Sequence, residues 1–330
     1  MKPNAYRIAA AVIVTALTLS SCGGQRENTA GAGADKDSCD AGSGRVSIAT
    51  GNSTGVYFVV GGGLAKLISD NSDLKATSAE TGASVQNIEQ LVTKDYDIAF
   101  SLADTAADAI NGEGSFKQKE KVSSLGRIYP NYTQIVVRAD SGIDSVEDFK
   151  GKRISTGSPQ SGTEVIANKL IDVAGLQKSD VSAQRLDLTK TVDGMKEGSI
   201  DGLVWSGGLP TPALTDLFTS MGSKVKMIDA SPLLPELQKI SPVYEAGSVP
   251  AGTYKTAPAT PSIVVPNVLL VRDDMPENVA CALSTIVYDK QPELAKVHPA
   301  AADIKLEEAS KSDPIPVHPG AKRAFDSLSK

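Results

Sequence analysis

Apolar positions along this chain fall into short runs separated by Gly- and Ser-containing turns, and two kinds of run alternate. Compact runs at residues 45–49, 75–78 and 98–102 read as strands. Each is followed by a turn and then by a longer amphipathic stretch, at 56–69, 85–93 and 103–110, that reads as a helix. Residues 122–129 and 135–138 are extended. A capped helical turn at Ser145, a stop at Gly151 and a new strand repeat the logic. Helices at 161–174 and 191–197 and a strand at 202–205 follow. Residues 230–261 hold many of the 18 prolines and little periodicity, so they read as an irregular connection. A long strand at 263–271 and helices at 277–288 and 292–297 end the pattern, which predicts an α/β fold.

The first residues stand outside that pattern. Lys2 and Arg7 precede an apolar run at 8–19 that is too short to span a bilayer and then meets Ser20-Ser21-Cys22-Gly23. The expectation is a lipoprotein signal peptide at 1–21, because the ending LSSC resembles a bacterial lipobox and makes Cys22 the lipidated residue. Residues 22–44 are rich in Gly, Ala and charge and read as a flexible tether. The protein is expected outside the cytoplasmic membrane, held to it by lipid.

Charge then removes one class of partner. A net charge of −6 with no basic patch argues against nucleic acid. With Cys22 assigned to lipid, Cys39 and Cys281 remain, and two readings stand: a disulfide between them, or a buried small hydrophobe at Cys281 and a free thiol at Cys39. Two separated histidines and unspaced cysteines give no metal signature, and no cofactor motif is complete.

Gly51-Asn52-Ser53-Thr54-Gly55 fits the G-x-S-x-G pattern of a hydrolase nucleophile elbow, between a strand and a helix. The strand before it is the first of the folded part, however, and the available bases are His298 and His318, each followed by proline. A serine hydrolase using Ser53 is therefore the minor reading. Residues 157–163, GSPQSGT, have the glycine spacing of a P-loop, but Thr163 stands where its lysine belongs. What survives is recurrence. TGNSTG, ETGAS and GSPQSGT each enter a helix, and SGGLPT follows a strand. Helix starts offer unpaired N–H groups and a dipole that favours anions, and ligands in open α/β sheets bind beyond the strand carboxyl ends. Turns of this kind converging on one cleft suit a small anionic or zwitterionic molecule.

From residue 46 to about 321 the chain resembles the TAXI-type solute-binding subunits of tripartite ATP-independent periplasmic (TRAP) transporters. The resemblance rests on ATGNSTGVYFVVGGGLAKL, ETGASVQNIEQL, DIAFSLADTA, DFKGKRISTGSPQSGTE, EGSIDGLVWSGGLPTPAL, VPAGTY, VHPAA and IPVHPGA, in that order. It implies a two-lobed periplasmic-binding-protein-like fold of type II with a ligand cleft between lobes that close by hinge motion. One lobe would comprise 45–130 plus 262–330 and the other 131–261, with IYPNYTQIVV and PSIVVPNVLLV as the crossings.

The ligand-binding residues this implies are Gly51, Asn52, Ser53, Gly55, Tyr57, Thr81, Ser84 and Tyr129 on one side. On the other they are Ser158, Ser161, Gly162, Thr163, Trp205, Ser206, Gly207 and Pro210. The chain departs from the family at Leu102, often glutamine, and at Asn131, often glutamate. The implied role is a non-enzymatic receptor without cofactor or metal. It would capture a glutamate- or glutamine-like amino acid or small carboxylate and deliver it to TRAP membrane subunits. A ligand-sensing lipoprotein of the same fold is the alternative.

Overall fold

The computed structural model describes residues 38–255 and 258–330. The signal peptide, Cys22 and most of the tether lie outside the described residues. Among the described residues ten strands and ten α-helices alternate as expected. They are β1 (Gly44–Ala49), α1 (Val56–Asn71), β2 (Leu74–Ala79), α2 (Ser84–Val92), β3 (Ile98–Leu102), α3 (Ala103–Asn111) and β4 (Val122–Arg138). Next come β5 (Arg153–Ser155), α4 (Gly162–Val173), β6 (Ser182–Gln184), α5 (Leu188–Glu197), β7 (Gly202–Gly207), α6 (Pro212–Met221), β8 (Val225–Ile228), α7 (Leu234–Ile240) and β9 (Glu245–Val249). The chain ends with β10 (Thr260–Arg272), α8 (Glu277–Asp289), α9 (Gln291–Val297) and α10 (Pro319–Leu328).

Two expectations need correction. Residues 122–129 and 135–138 belong to one strand, β4, because the proline and polar residues between them interrupt the apolar pattern without interrupting the pairing. The supposedly irregular stretch 230–261 contains α7 and β9. Pro232 opens the 3-10 turn before α7 and Pro235 lies in the first turn of α7, where a missing N–H costs no helix bond.

The strands form one mixed sheet in the order β2-β1-β3-β10-β4-β7-β5-β6, with β8 on β4 and β9 on β10. β4 and β10 are shared by its two halves. Asn267–Leu270 of β10 pairs with β3, while residues 260–264 pair with β9. Residues 132–137 of β4 pair with β7, and its earlier residues pair with β10. At the changeover Pro130 lies opposite Pro266, with a register shift beside it. Neither proline has an N–H to give the ladder, so backbone pairing is weakest there. Side-chain amides take over: Asn267 Nδ2 donates to the Tyr129 carbonyl at 2.7 Å and to Asn131 Oδ1 at 2.8 Å.

One apolar cluster packs α1, α8 and α10 on the β1–β3 half. Another runs through α2, α3, α4 and α7, joining both halves. Within the second lies an ionic group: Lys169 of α4 sits 2.9 Å from Asp108 and 3.5 Å from Asp104 of α3, and Tyr244 donates to Asp104 at 2.6 Å. Asp104 is fully buried. The two cysteines are joined in a disulfide, which ties the start of the described chain to α8. Among the described residues no helix is long and apolar enough to cross a membrane.

Candidate functional site

Between the two halves of the sheet lies a small cleft of about 30 Å³. Three helices begin on it. The α1 start presents Gly55, Val56 and Tyr57; the α2 start presents Gly82, Ala83 and Ser84; the α4 start presents Ser161, Gly162 and Thr163. Leu102, Asn131 and the β7 end, Trp205 to Gly208, complete the wall with Gly51 and Asn52. The first N–H groups of a helix have no partner inside it. Neither α1 nor α2 has a side-chain cap, although Gln86 N–H in the first turn of α2 reaches the Gln160 carbonyl at 3.1 Å and Gly55 N–H the Asn52 carbonyl at 2.8 Å, whereas Ser161 Oγ accepts from Glu164 N–H in α4.

The α2 entry is held in an unusual shape. Ala83 has φ +80°, outside the range L-residues favour, at a cost of about 1–3 kcal/mol. Thr81 Oγ1 accepts from the Ala83 N–H at 3.1 Å and donates to Asn87 Oδ1, while Asn87 Nδ2 donates to the Thr50 and Phe100 carbonyls. Thr81 therefore shapes the turn from behind and is not on the wall.

Of the expected ligand residues, the structure brings Gly51, Asn52, Gly55, Tyr57, Ser84, Ser161, Gly162, Thr163, Trp205, Ser206 and Gly207 to one cavity. Ser53, Thr81, Tyr129, Ser158 and Pro210 are not on its lining. Ser53 is exposed, its N–H bound to Glu80, and Ser158 Oγ donates instead to Asn52 Oδ1. The Asn52 carboxamide also accepts from Leu188 N–H at 3.2 Å, so this residue bridges the two halves at the rim. Sequence reasoning did not assign Val56, Gly82, Ala83 or Gly208 to the site, and marked Leu102 and Asn131 only as departures from the family resembled. The doubled glycine at 207–208 and the Gly82-Ala83 pair sit inside quoted motifs and were within reach. Leu102 ends a wholly buried strand, so burial alone does not set it apart.

Tyr57 donates from its hydroxyl to Asn267 Oδ1, and Asn131 Nδ2 donates to the Ser206 carbonyl at 3.3 Å. With the Asn267–Asn131 contact these make a polar chain from α1 through both shared strands to β7. Burial pushes the phenols of Tyr57 and Tyr129 well above the ordinary value, so both are neutral donors. Two buried hydroxyls near the cleft lack a partner among the described residues, Ser206 Oγ and Tyr129 Oη. The Tyr129 ring packs against Gly208.

Both histidines are committed to the backbone. His298 Nδ1 accepts from Ala300 N–H and its Nε2 faces the Pro210 carbonyl at 3.1 Å; His318 Nδ1 accepts from Gly320 N–H and its Nε2 faces the Met275 carbonyl at 3.1 Å. Each His-Pro pair is thus a helix cap, and neither ring is free to serve Ser53 as a base. Burial lowers both imidazole pKa values, opposed by the facing carbonyls. The unfolded chain therefore binds protons below about pH 6.5 that the native one refuses, and stability is lost as pH falls through that point. About 1.4 kcal/mol per pH unit is the ceiling on that slope for each histidine. Urea titrations at pH 7.5 and 5.5 should show a smaller pH loss for His298→Asn/His318→Asn, whose amide oxygens keep the caps. Equal losses would remove the histidines as the cause.

The profile of the NMT1-like family matches residues 48–326. Among solved structures, a protein of Bordetella bronchiseptica RB50 superposes with TM-score 0.56 at 16% identity, covering 87% of this chain and 98% of its own. PhnD1 of Prochlorococcus marinus MIT 9301, in complex with methylphosphonate, gives TM-score 0.56 at 12% identity over 87% and 98% of the two chains. XAC2383 of Xanthomonas citri, bound to ATP, gives 0.51 at 13% over 86% and 95%. At these identities the likeness establishes the fold, a two-lobed α/β architecture like that of periplasmic binding proteins.

Proposed function

We propose that this chain, which belongs to the NMT1-like family, is an extracytoplasmic solute receptor that captures a small organic anion by closing two lobes around it. The observation that carries the reading is the convergence of three helix starts, with the buried unpartnered hydroxyl of Ser206, on one cavity between the halves of the sheet. Helix starts concentrate unpaired N–H donors and positive potential, which is what an oxyanion needs. The structural relatives bound to methylphosphonate and ATP agree with an anionic ligand class.

The lobes would be 45–130 plus 262–330 and 131–261, and the hinge would lie where Pro130 faces Pro266, the point at which the shared strands have fewest ladder bonds. Binding needs no bond making, and both histidine rings are engaged elsewhere. The finer reading is a TAXI-type subunit, anchored through Cys22, that hands its ligand to TRAP membrane subunits. An ABC-type importer is the competing assignment. Uptake of the ligand by intact cells decides between them: collapse of the ion gradients should stop TRAP-type uptake, and persistence under that treatment with loss on ATP depletion would reject it.

The receptor reading itself is tested by calorimetry on protein unfolded, dialysed and refolded to strip carried-over ligand, against carboxylates, phosphonates and amino acids. Saturable binding is expected, with about 2.7 kcal/mol of stabilisation at a hundredfold excess over Kd. No saturable binding across the panel, and no molecule co-purifying with the untreated protein, would sink it.

A further inference from the structure

We infer that the cleft selects a small oxyanion with an uncharged remainder, a short-chain monocarboxylate, and rejects the corresponding α-amino acid. This rests on the receptor reading above and narrows its ligand. Among the described residues no Asp, Glu, Lys or Arg lines the cavity. The charge of a ligand must then be met by hydrogen bonds alone, and the wall offers mainly donors.

Donors are plentiful. The starts of α1, α2 and α4 supply N–H groups. Thr163 Oγ1 accepts from Ser206 N–H and keeps its own proton to give, while Ser84 Oγ accepts from Leu102 N–H and is hydrogen-bonded to the Tyr57 phenol. Ser206 Oγ is the independent mark: the residue is 5% exposed, lines the cavity, and its hydroxyl has no partner among the described residues. A hydroxyl so placed is satisfied by an oxygen of the ligand.

Most acceptors already hold a partner. The Gly51 carbonyl accepts from Thr81, that of Asn52 from Gly55, that of Ser206 from Asn131, that of Gly207 from Gln134 and that of Gly208 from Thr211. The Asn131 side-chain oxygen accepts from Asn267. An ammonium group carries three donors and a full charge, and here it would leave water with no carboxylate to receive it, only neutral oxygens most of which already hold a partner. The tail is specified too. Trp205 turns its Nε1 away to Thr211 Oγ1 at 3.1 Å, so its ring and Leu102 give apolar walls. The closed space equals about two or three water molecules, which limits that tail to a few atoms.

The test is calorimetry on the stripped full chain with propionate, alanine, glutamate and methylphosphonate, and with propionate on Ser206→Ala. Propionate should bind saturably and alanine roughly 100-fold more weakly. Ser206→Ala should lose roughly 5- to 20-fold for propionate while the ligand-free melting temperature stays level or rises, since an unpartnered hydroxyl is removed. Alanine or glutamate binding as tightly as propionate would overturn the charge selection and leave the receptor reading intact. Methylphosphonate binding more tightly than propionate would overturn the carboxylate head. An unchanged propionate affinity in Ser206→Ala would overturn the hydroxyl contact. Silence from all four probes, with a different molecule co-purifying, would overturn the ligand class; with no such molecule, the receptor reading falls as well.

Discussion

Gly162→Ala should weaken ligand capture by roughly 5- to 150-fold while leaving the unfolding of the ligand-free protein almost unchanged. Gly162 opens α4 on the cleft wall. A Cβ there would lie 2.5 Å from Ser84 Oγ and 2.6 Å from Leu102 Cδ1, both contributed by the opposite half of the molecule. Neither neighbour can give way cheaply: Ser84 Oγ is fixed by the Leu102 N–H at 3.1 Å, and the Leu102 side chain is buried in the core. Overpacking of this kind costs about 1–3 kcal/mol, and the cost falls only on the closed form. An open form has nothing to collide with, and alanine is the better helix former. Calorimetry with whichever ligand the stripped protein takes up, together with melting of the apo protein, measures both halves of the expectation. Full affinity in Gly162→Ala would mean that the two walls do not approach as closely when ligand is bound.

The second large effect is on stability. Lys169→Met should cost about 3–5 kcal/mol, because it leaves the fully buried Asp104 carboxylate with no cation. Asp104 has further support, the Tyr244 hydroxyl at 2.6 Å and its place in the first turn of α3, where the helix dipole favours an acid. Neither replaces a charge at 3.5 Å in a site this dry. Asp108 responds to the same setting: burial raises its pKa, and Lys169 at 2.9 Å opposes that shift. Urea unfolding of Lys169→Met, Asp104→Asn and the double variant gives the coupling. The double variant should recover much of the loss, since removing both charges removes the desolvation problem. A single-variant cost under about 1 kcal/mol would mean that Asp104 does not need its partner.

The fold was legible where local chemistry repeats. Strands of one apolar run announced themselves at Gly44–Ala49, Ile98–Leu102 and Arg153–Ser155, the first and last ending in a Gly- or Ser-rich helix entry, and the capped turn read at Ser145 proves to be a capping box with Asp148. Legibility failed where a pattern is broken by residues with a non-local purpose. Pro130 and Asn131 divide β4 in sequence, yet their meaning appears only when Pro266 and Asn267 of β10 come to lie beside them, more than a hundred positions later. The same applies at the site. Gly51, Gly162 and Gly207 could be picked out as close-approach positions. Leu102 looks like any core leucine until α4 packs against it. In TGNSTG the serine drew attention through a familiar spacing, whereas Asn52 beside it is the residue that reaches across to Ser158 and Leu188.

The bond between Cys39 and Cys281 also decides how force enters the molecule. Cys39 shares a surface hollow with Asp70, Asn71 and Ser72, at the end of α1 remote from the cleft. A helix of 16 residues is about 24 Å long, so the point where the preceding chain joins the fold is a helix length away from the ligand. Tension on that chain would pass covalently into α8 and be dissipated in the core behind β1–β3, without peeling β1 from its neighbours. The rim formed by Asn52 and Leu188 would stay unloaded, and opening and closing would proceed independently of whatever holds the other end.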